Sequence, residues 1–258
     1  MEGVEGASRP ALVLMPGLDG TDVFFRPLLE HLPRSVRPIP LVYPDGGPYS
    51  YAELLELVRR TLAGVTHCYL LAASFSGPLA AMLAAAEPDK VLGVIFTATF
   101  VRAPSRQLAR FRFAATAPLM WSLRVARRLP VWVRSPGDPV RLAKRETWSR
   151  VSAASMAARA RAALEADTRD SLRAYGRPVL CAAFEGDAVV PRRCAEEIVA
   201  LAKSARMVTL PGGHLGMFTD PAPLAGEIAR FVGGEAVPTG YARDSSRAGF
   251  APTLPDPA

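Results

Sequence analysis

Two serines, Ser74 and Ser76, stand at an abrupt junction in the stretch CYLLAASFSGPLAAMLAA, residues 68–85. The stretch begins as an apolar run typical of a buried strand and ends as an alanine-rich run typical of a helix. A hydroxyl at such a junction could be a nucleophile, held in strained backbone and exposed at the end of the strand. It could equally be an ordinary N-terminal cap of the helix. The stretch alone leaves both interpretations open.

The spacing favours Ser74 as the nucleophile. Strand and helix approach closely at a turn of this kind, so the residues two positions before and after the nucleophile must be small. Around Ser74 these residues are Ala72 and Ser76, whereas Ser76 would have Pro78 at the second position, where the ring would crowd the turn. Pro78 instead suits the first turn of the helix, where a missing N–H is tolerated.

An acid and a base follow two later apolar runs. Asp187 lies in EGDAVVP, just past the fifth run, and His214 lies in TLPGGHLG, just past the last one. Each residue alone could be a turn, cap or surface residue. Ser74, Asp187 and His214 nevertheless come in the order in which one class of hydrolases supplies its catalytic triad, each just beyond a different strand. The other two histidines are interpreted as structural.

The loop MPGLDGTD, residues 15–22, follows the first apolar run. Hydrolysis of an ester produces an oxyanion, and two backbone N–H groups must face it. We expect one from Phe75, the residue after the nucleophile, and one from Leu18 in this loop. A plain strand–helix loop is the alternative.

Six apolar runs alternate with helical patterns along the chain. The runs are Ala11–Met15, Pro38–Tyr43, Cys68–Ala73, Val91–Phe96, Pro178–Phe184 and Met207–Leu210. The helical patterns are Tyr51–Leu62, preceded by the capping box Ser50-x-x-Glu53, Leu79–Ala86, Arg192–Lys203 and Leu224–Val232. Near-continuous apolar strands alternating with helices predict an α/β fold, with a mostly parallel sheet of about six strands and flanking helices.

The same alternation predicts the domain organisation. Residues 11–101 and 174–233 form the α/β core, and the strand-free residues 102–173 form a helical cap insertion. Residues 1–10 are expected to be a flexible N-terminus and residues 234–258 a disordered tail.

Composition narrows the class of protein further. The first ten residues do not read as a secretory signal, no run is long enough to span a membrane, and the three cysteines are scattered. These features predict a cytoplasmic protein with reduced thiols. No metal-binding spacing and no glycine-rich phosphate loop is found, so neither a metal nor a cofactor is expected.

The basic charge is concentrated in the insertion. Residues 102–173 contain 16 basic and 5 acidic residues, a net charge of +11, which leaves −4 for the rest of a chain whose total is +7. Three interpretations remain open: a solvated charged face, a docking surface for an acidic protein, or an anionic membrane surface. Arg124, Arg127 and Arg128 are the predicted docking residues, and nucleic acid is not an expected partner.

Four motifs together, PGLDG, AASFSGPLA, GDAVVP and GGH, resemble the α/β-hydrolase superfamily, in particular its small bacterial serine esterases. The pattern G-x-S-x-G reads A-A-S-F-S in this chain, and the usual leading hairpin is missing or reduced. The resemblance implies that His214 deprotonates Ser74, that Ser74 attacks an acyl carbon, and that Asp187 supports the imidazolium. It also implies that the insertion covers the site.

The resemblance extends to pimeloyl-acyl-carrier-protein methyl esterases, in which a basic cap receives an acidic carrier protein. The sequence therefore predicts a serine hydrolase acting on a small-molecule carboxylic ester, with an acidic acyl carrier protein or an anionic membrane as a possible partner. An acyl thioesterase or acyltransferase acting on carrier-bound acyl groups is one alternative. A non-catalytic binding protein of the same fold is the other.

Overall fold

One six-stranded sheet forms the centre of the molecule. The structure is a computed structural model, and it describes residues 9–47, 49–104, 116–120 and 137–234. The strands are β1 (Ala11–Met15), β2 (Arg37–Pro40), β3 (Cys68–Ala73), β4 (Val91–Thr97), β5 (Val179–Phe184) and β6 (Ala205–Leu210). They lie in the order β2-β1-β3-β4-β5-β6 with every pairing parallel, which confirms the predicted α/β fold class.

Helices connect the strands and cover both faces. They are α1 (Arg26–Leu29), α2 (Tyr51–Thr61), α3 (Gly77–Ala86), α4 (Pro139–Arg150), α5 (Ala153–Glu165), α6 (Arg169–Ala174), α7 (Arg192–Leu201), α8 (Gly216–Thr219) and α9 (Ala222–Val232). The four predicted helices correspond to α2, α3, α7 and α9. The capping box at the start of α2 is present, with Ser50 and Glu53 bonded reciprocally.

The largest disagreement in strand bounds is at β2, where the predicted run Pro38–Tyr43 overestimates the strand. Regular pairing ends at Pro40, and the Tyr43 N–H donates to the Gly20 carbonyl in the loop after β1. The apolar side chains of Leu41 and Tyr43 are buried although they lie outside the strand. In this segment the apolar pattern therefore indicates burial and not sheet pairing.

The central strands are buried on both faces, as their continuous apolar sequences require. In β1, Val13 belongs to the apolar layer that includes α2, α3 and α7, whereas Leu12 and Leu14 face the layer that includes α1 and α9. The β3, β4 and β5 strands alternate in the same way. The two layers hold the sheet rigidly, and its carboxyl edge can therefore carry a site built from several strand ends.

The described part of the insertion is fastened to the core at its base. Arg102 and Asp167 form an isolated antiparallel bridge, and the Thr168 N–H donates to the Val101 carbonyl at 2.8 Å. Helices α4 and α5 lie beyond this base. Helix α6 packs against α3, and its Leu172 is fully buried in the core although its position lies inside the predicted insertion.

Several predictions fall on residues outside the described ranges. They concern most of the N-terminal segment 1–10, all but the first residue of the tail 234–258, and the part of the insertion that carries Arg124, Arg127 and Arg128. Among the described residues, no helix is long and apolar enough to cross a membrane.

Candidate active site

Ser74 occupies the sharp turn between β3 and α3. Its φ is +48°, a left-handed conformation that residues other than glycine rarely adopt. Its carbonyl accepts the Gly77 N–H and the Thr99 hydroxyl, so neighbouring groups hold the turn in place. Strain of this kind persists only where the surroundings impose it, and it is concentrated at functional sites.

Gly77 explains how the helix can follow so closely. A β-carbon at this position would overlap both the Phe100 carbonyl oxygen and the Thr99 side-chain oxygen. Because glycine has no β-carbon, α3 starts directly against the end of β4, with Pro78 in its first turn. The sequence pattern alone did not identify Gly77 as part of the site, although its position three residues after Ser74 is visible in AASFSG.

Ser76 is fully buried, unlike its neighbour Ser74. Its hydroxyl donates to the Pro16 carbonyl and lies 2.7 Å from the Tyr43 hydroxyl. A serine can therefore stand where the usual pattern has glycine, because its hydroxyl has two polar partners in the closely packed turn. Of the two serines, only Ser74 lines the cavity at the edge of the sheet.

The structure brings Ser74, His214 and Asp187 into one hydrogen-bonded row. The Nε2 atom of His214 lies 3.0 Å from the Ser74 Oγ, and its Nδ1 atom lies 2.9 Å from the Asp187 Oδ2. With the imidazole proton on Nδ1, that nitrogen donates to the carboxylate and Nε2 accepts from the serine hydroxyl. The row has the geometry that proton removal from a serine requires.

Asp187 is held ionised by its surroundings. Burial disfavours the charged carboxylate, but hydrogen bonds from His214 and from the Val190 and Val189 N–H groups outweigh it and lower the pKa of Asp187. An ionised Asp187 orients the imidazole and would stabilise the imidazolium formed when Ser74 loses its proton.

The loops that carry Asp187 and His214 are joined through their backbones. The Gly186 N–H donates to the Gly212 carbonyl at 2.8 Å. Gly212 has a φ of +103°, which glycine adopts without steric cost. Glycines on both sides therefore let the β5 and β6 loops approach within bonding distance, and this approach sets the separation of the acid and the base.

The loop after β1 runs beside Ser74. Its backbone forms a turn in which the Gly20 N–H donates to the Gly17 carbonyl at 2.9 Å, and a β-carbon on Gly17 would lie 3.8 Å from the Ser74 Cβ. Leu18 lies inside this turn and lines the same cavity as Ser74. Phe75 follows Ser74, and its ring stacks on Tyr51 at 4.9 Å. The oxyanion role of the Leu18 and Phe75 N–H groups stays a prediction.

A cavity of about 160 Å³ opens at Ser74. Most of its wall is apolar. The wall includes Phe24, Phe25, Ala98, Met156, Leu215 and Met217. Met156 belongs to α5, so the insertion contributes to the site. Among the described residues, Ser74 and Ala98 alone combine a side chain with a positive φ, and both line this cavity.

The described residues contain no cluster of metal ligands. No group of three His, Cys, Asp or Glu side chains within them could hold a metal ion. The three cysteines are buried and free. The predicted docking residues Arg124, Arg127 and Arg128 lie outside the described ranges, and partner docking stays a prediction.

Comparisons with known proteins agree with this architecture. A family model described as the alpha/beta hydrolase family matches residues 12–227. A comparison with curated protein sequences gives no match.

Three solved structures are similar in fold. A hydrolase from Pseudomonas aeruginosa PA01 superposes with a TM-score of 0.75 at 24% identity, over 88% of this chain and 91% of that one. An enol-lactonase from Burkholderia xenovorans LB400 has a TM-score of 0.75 at 21% identity, over 90% and 94%. A thermophilic esterase from Thermogutta terrifontis has a TM-score of 0.72 at 19% identity, over 88% and 90%.

Proposed function

The chain belongs to the alpha/beta hydrolase family, and from that premise we propose that it is a serine hydrolase that cleaves carboxylic esters through an acyl-enzyme on Ser74. The observation that carries the proposal is the hydrogen-bonded row from Ser74 Oγ through His214 to Asp187, with distances of 3.0 and 2.9 Å. The strained turn at Ser74 adds support, since it presents the hydroxyl to the cavity.

In the proposed mechanism, the proton of the Ser74 hydroxyl moves to His214 Nε2 while Ser74 Oγ bonds to the ester carbonyl carbon. The carbonyl oxygen becomes an oxyanion, which the N–H groups of Leu18 and Phe75 stabilise. The tetrahedral intermediate then expels the alcohol, which takes the proton from His214. Asp187 keeps the imidazole oriented throughout and stays ionised.

The second half of the reaction uses the same groups in the opposite order. Water loses a proton to His214 and attacks the acyl carbon on Ser74. The intermediate collapses, Ser74 recovers its proton, and the carboxylic acid is released. Every proton in this scheme is carried by His214, so the scheme requires no metal.

The cavity favours a small apolar acyl group. Its volume of about 160 Å³ is below the roughly 300–1,000 Å³ of pockets that hold drug-sized ligands. An enol-lactonase and an esterase are among the structures of similar fold, and both names denote the cleavage of an acyl–oxygen bond. We propose a short-chain ester as the substrate and, since the three cysteines are buried and free, the cytoplasm as the location.

Two alternatives differ from this proposal in testable ways. A thioesterase or acyltransferase would form the same acyl-enzyme but would prefer a thioester donor or a second alcohol over water. A non-catalytic binding protein would form no acyl-enzyme. The presence of all three residues of the row, in bonding geometry, favours catalysis over binding alone.

The two serines provide the test. We expect Ser74→Ala to abolish both the hydrolysis of p-nitrophenyl esters of graded chain length and labelling by a fluorophosphonate probe. Ser76→Ala should keep the labelling and most of the turnover, because Ser76 is fully buried and does not reach the cavity. Carrier-bound thioesters assayed in parallel would identify a thioesterase. A labelled Ser74→Ala variant, or an unlabelled wild type, would refute the proposal.

A further inference from the structure

Arg159 is the most deeply buried charged side chain among the described residues. It projects from α5 in the insertion, and the whole residue is 0% exposed to solvent. Burying a charge in this way is costly unless polar groups surround it. Nothing in its sequence context, MAARARAALE, distinguishes it from the neighbouring Arg161, which is exposed.

The guanidinium group bonds to the backbone of two loops of the core. Its NH1 nitrogen donates to the Asp19 carbonyl at 2.9 Å and to the Leu18 carbonyl at 3.3 Å. Its NH2 nitrogen donates to the Pro44 carbonyl at 2.8 Å and to the Tyr43 carbonyl at 3.2 Å. The first pair lies in the loop after β1 and the second pair lies after β2. One side chain of the insertion therefore joins two neighbouring strand ends.

The loop after β1 is shaped around this group. A β-carbon on Gly20 would overlap the NH1 nitrogen of Arg159, so the backbone lies directly against the guanidinium. The Asp19 carboxylate is close enough to interact with its charge. The insertion is also attached to the core at the surface, where the ion pairs Arg26–Glu146 and Arg150–Asp22 link α4 to the segment after β1. Attachment alone therefore does not explain the buried contact that Arg159 makes.

Arg159 and Gly20 fix both peptide groups that flank the Cα of Leu18. The preceding peptide contains the Gly17 carbonyl and the Leu18 N–H, and its carbonyl accepts the Gly20 N–H at 2.9 Å. The following peptide contains the Leu18 carbonyl, which Arg159 holds. A peptide plane that is held at its carbonyl has little freedom to rotate its N–H. Arg159 also holds the Asp19 carbonyl at 2.9 Å, and the peptide of this carbonyl contains the Gly20 N–H that bonds to Gly17. The orientation of the Leu18 N–H therefore depends on Arg159 through two linked peptide planes.

We infer that Arg159 is a positioning residue, which acts from the insertion to hold the Leu18 N–H toward the oxyanion that forms on the ester carbonyl. The inference rests on the proposed function. An oxyanion donor contributes about 100- to 1000-fold to the rate, and a displacement of about 1 Å at a reacting group costs about 100-fold. The effect should fall on the transition state and not on the binding of the ester.

The test compares Arg159→Met, Arg159→Lys and Ser155→Ala with the wild type. Methionine fills the space without donors, whereas lysine keeps the charge but cannot reach four carbonyls in a fixed plane. Ser155 is the matched control, because it is fully buried on the same helix and bonds to Asp45 and the Gly46 N–H, away from the Gly17–Gly20 turn. All variants are assayed at a temperature at which each is folded.

With p-nitrophenyl acetate, we expect Arg159→Met to lower kcat by about 100-fold and to change KM little. Arg159→Lys should give a smaller loss, and Ser155→Ala should leave kcat within about twofold of the wild type. The affinity of a boronic acid, which forms a tetrahedral adduct with the serine, should fall in proportion to kcat/KM across the series. If Arg159→Met fails to fold, Arg159→Lys carries the same comparison.

Three results would overturn the inference, and they are distinguishable. If the wild type is labelled by the fluorophosphonate and the folded Arg159 variants are labelled at the wild-type rate, the positioning role is wrong and the proposed function stands. A kcat loss in Ser155→Ala as large as that in the Arg159 variants would also contradict it. If the wild type is not labelled, the proposed function fails and this inference fails with it.

Discussion

The edge of the sheet and the α5 face of the insertion meet at the same cavity, but they are built differently. At the edge, Ser74, Asp187 and His214 are short side chains placed by strand ends and tight turns. The α5 face reaches the site with long side chains, Met156 and Arg159, from a helix docked across two loops. At the edge, strand pairing and backbone contacts between neighbouring loops set the site, whereas the α5 face depends on Arg159, whose long side chain reaches backbone carbonyls 115 to 141 positions away in the chain.

This difference indicates which property of the protein a substitution in each region should alter. Strand ends are held by two apolar layers, so the row of polar side chains has fixed spacing. The α5 face is held by hydrogen bonds to backbone carbonyls and to Asp45, and Ala162 and Ala163 of the same helix pack against the core. We expect alterations at the edge to affect the chemical step or the fold, and alterations at Met156 to affect the choice of substrate.

The largest effect should come from Asp187→Asn, which tests whether the edge behaves as one unit. Asparagine keeps the shape of the side chain but replaces one acceptor oxygen with an NH2 donor. The Val189 and Val190 N–H groups require the remaining oxygen, so the NH2 group faces His214 Nδ1 and favours the wrong tautomer of the imidazole. By analogy with other triads we expect kcat to fall by about 10⁴-fold in a folded variant. A loss of only a few fold in ester hydrolysis would show that another group supplies the acid.

The pH dependence of stability provides a control for this variant. Because the pKa of Asp187 is lowered in the folded state, its ionised form stabilises the fold at pH values above the ordinary carboxyl pKa. That contribution is lost as pH falls through the lowered pKa. The melting temperatures of the wild type and Asp187→Asn should therefore differ most near neutral pH and converge in acid. A constant difference would contradict the lowered pKa.

Gly77→Ala should have the next largest effect, since it tests the close approach of α3 to the end of β4. The added methyl group would overlap Phe100 and Thr99, and such overpacking costs about 1–3 kcal/mol of the free energy of unfolding. Gly226→Ala in α9 is the matched control, because only the far end of Arg230 lies near its β-carbon position, at 3.9 Å. There alanine should stabilise by about 0.5–1 kcal/mol through helix propensity. Urea denaturation of both variants measures the sign, and equal signs would contradict the prediction.

The smallest effect should come from Met156, where the α5 face lines the cavity. Met156→Ala should enlarge the cavity and raise kcat/KM for p-nitrophenyl hexanoate relative to the acetate by about 10-fold, while the acetate rate changes little. Met82→Ala on α3 is the control, because Met82 packs on the core away from the cavity. An unchanged ratio in Met156→Ala would show that α5 does not shape the acyl site.

Much of the fold could be predicted because its signals are local. Continuous apolar runs marked the strands, and the positions of β1, β3 and β5 follow from these runs alone. The Ser50–Glu53 capping box marked the start of α2 correctly. The β2 strand was predicted three residues too long at its end, because Leu41 and Tyr43 are buried against the core without belonging to the sheet. A hydrophobic pattern indicates burial, and burial does not require strand pairing.

The sequence by itself determined the fold class and the order of Ser74, Asp187 and His214 at the ends of three strands, since parallel strands bring their carboxyl ends to one edge. Only the tertiary structure decided that Ser76 is enclosed by Pro16 and Tyr43 and that Gly77 must lack a β-carbon against Phe100. It also decided that Arg159 reaches the loop beside Ser74. These contacts join residues up to 141 positions apart, and no local pattern of polarity encodes which distant carbonyl a buried side chain will meet.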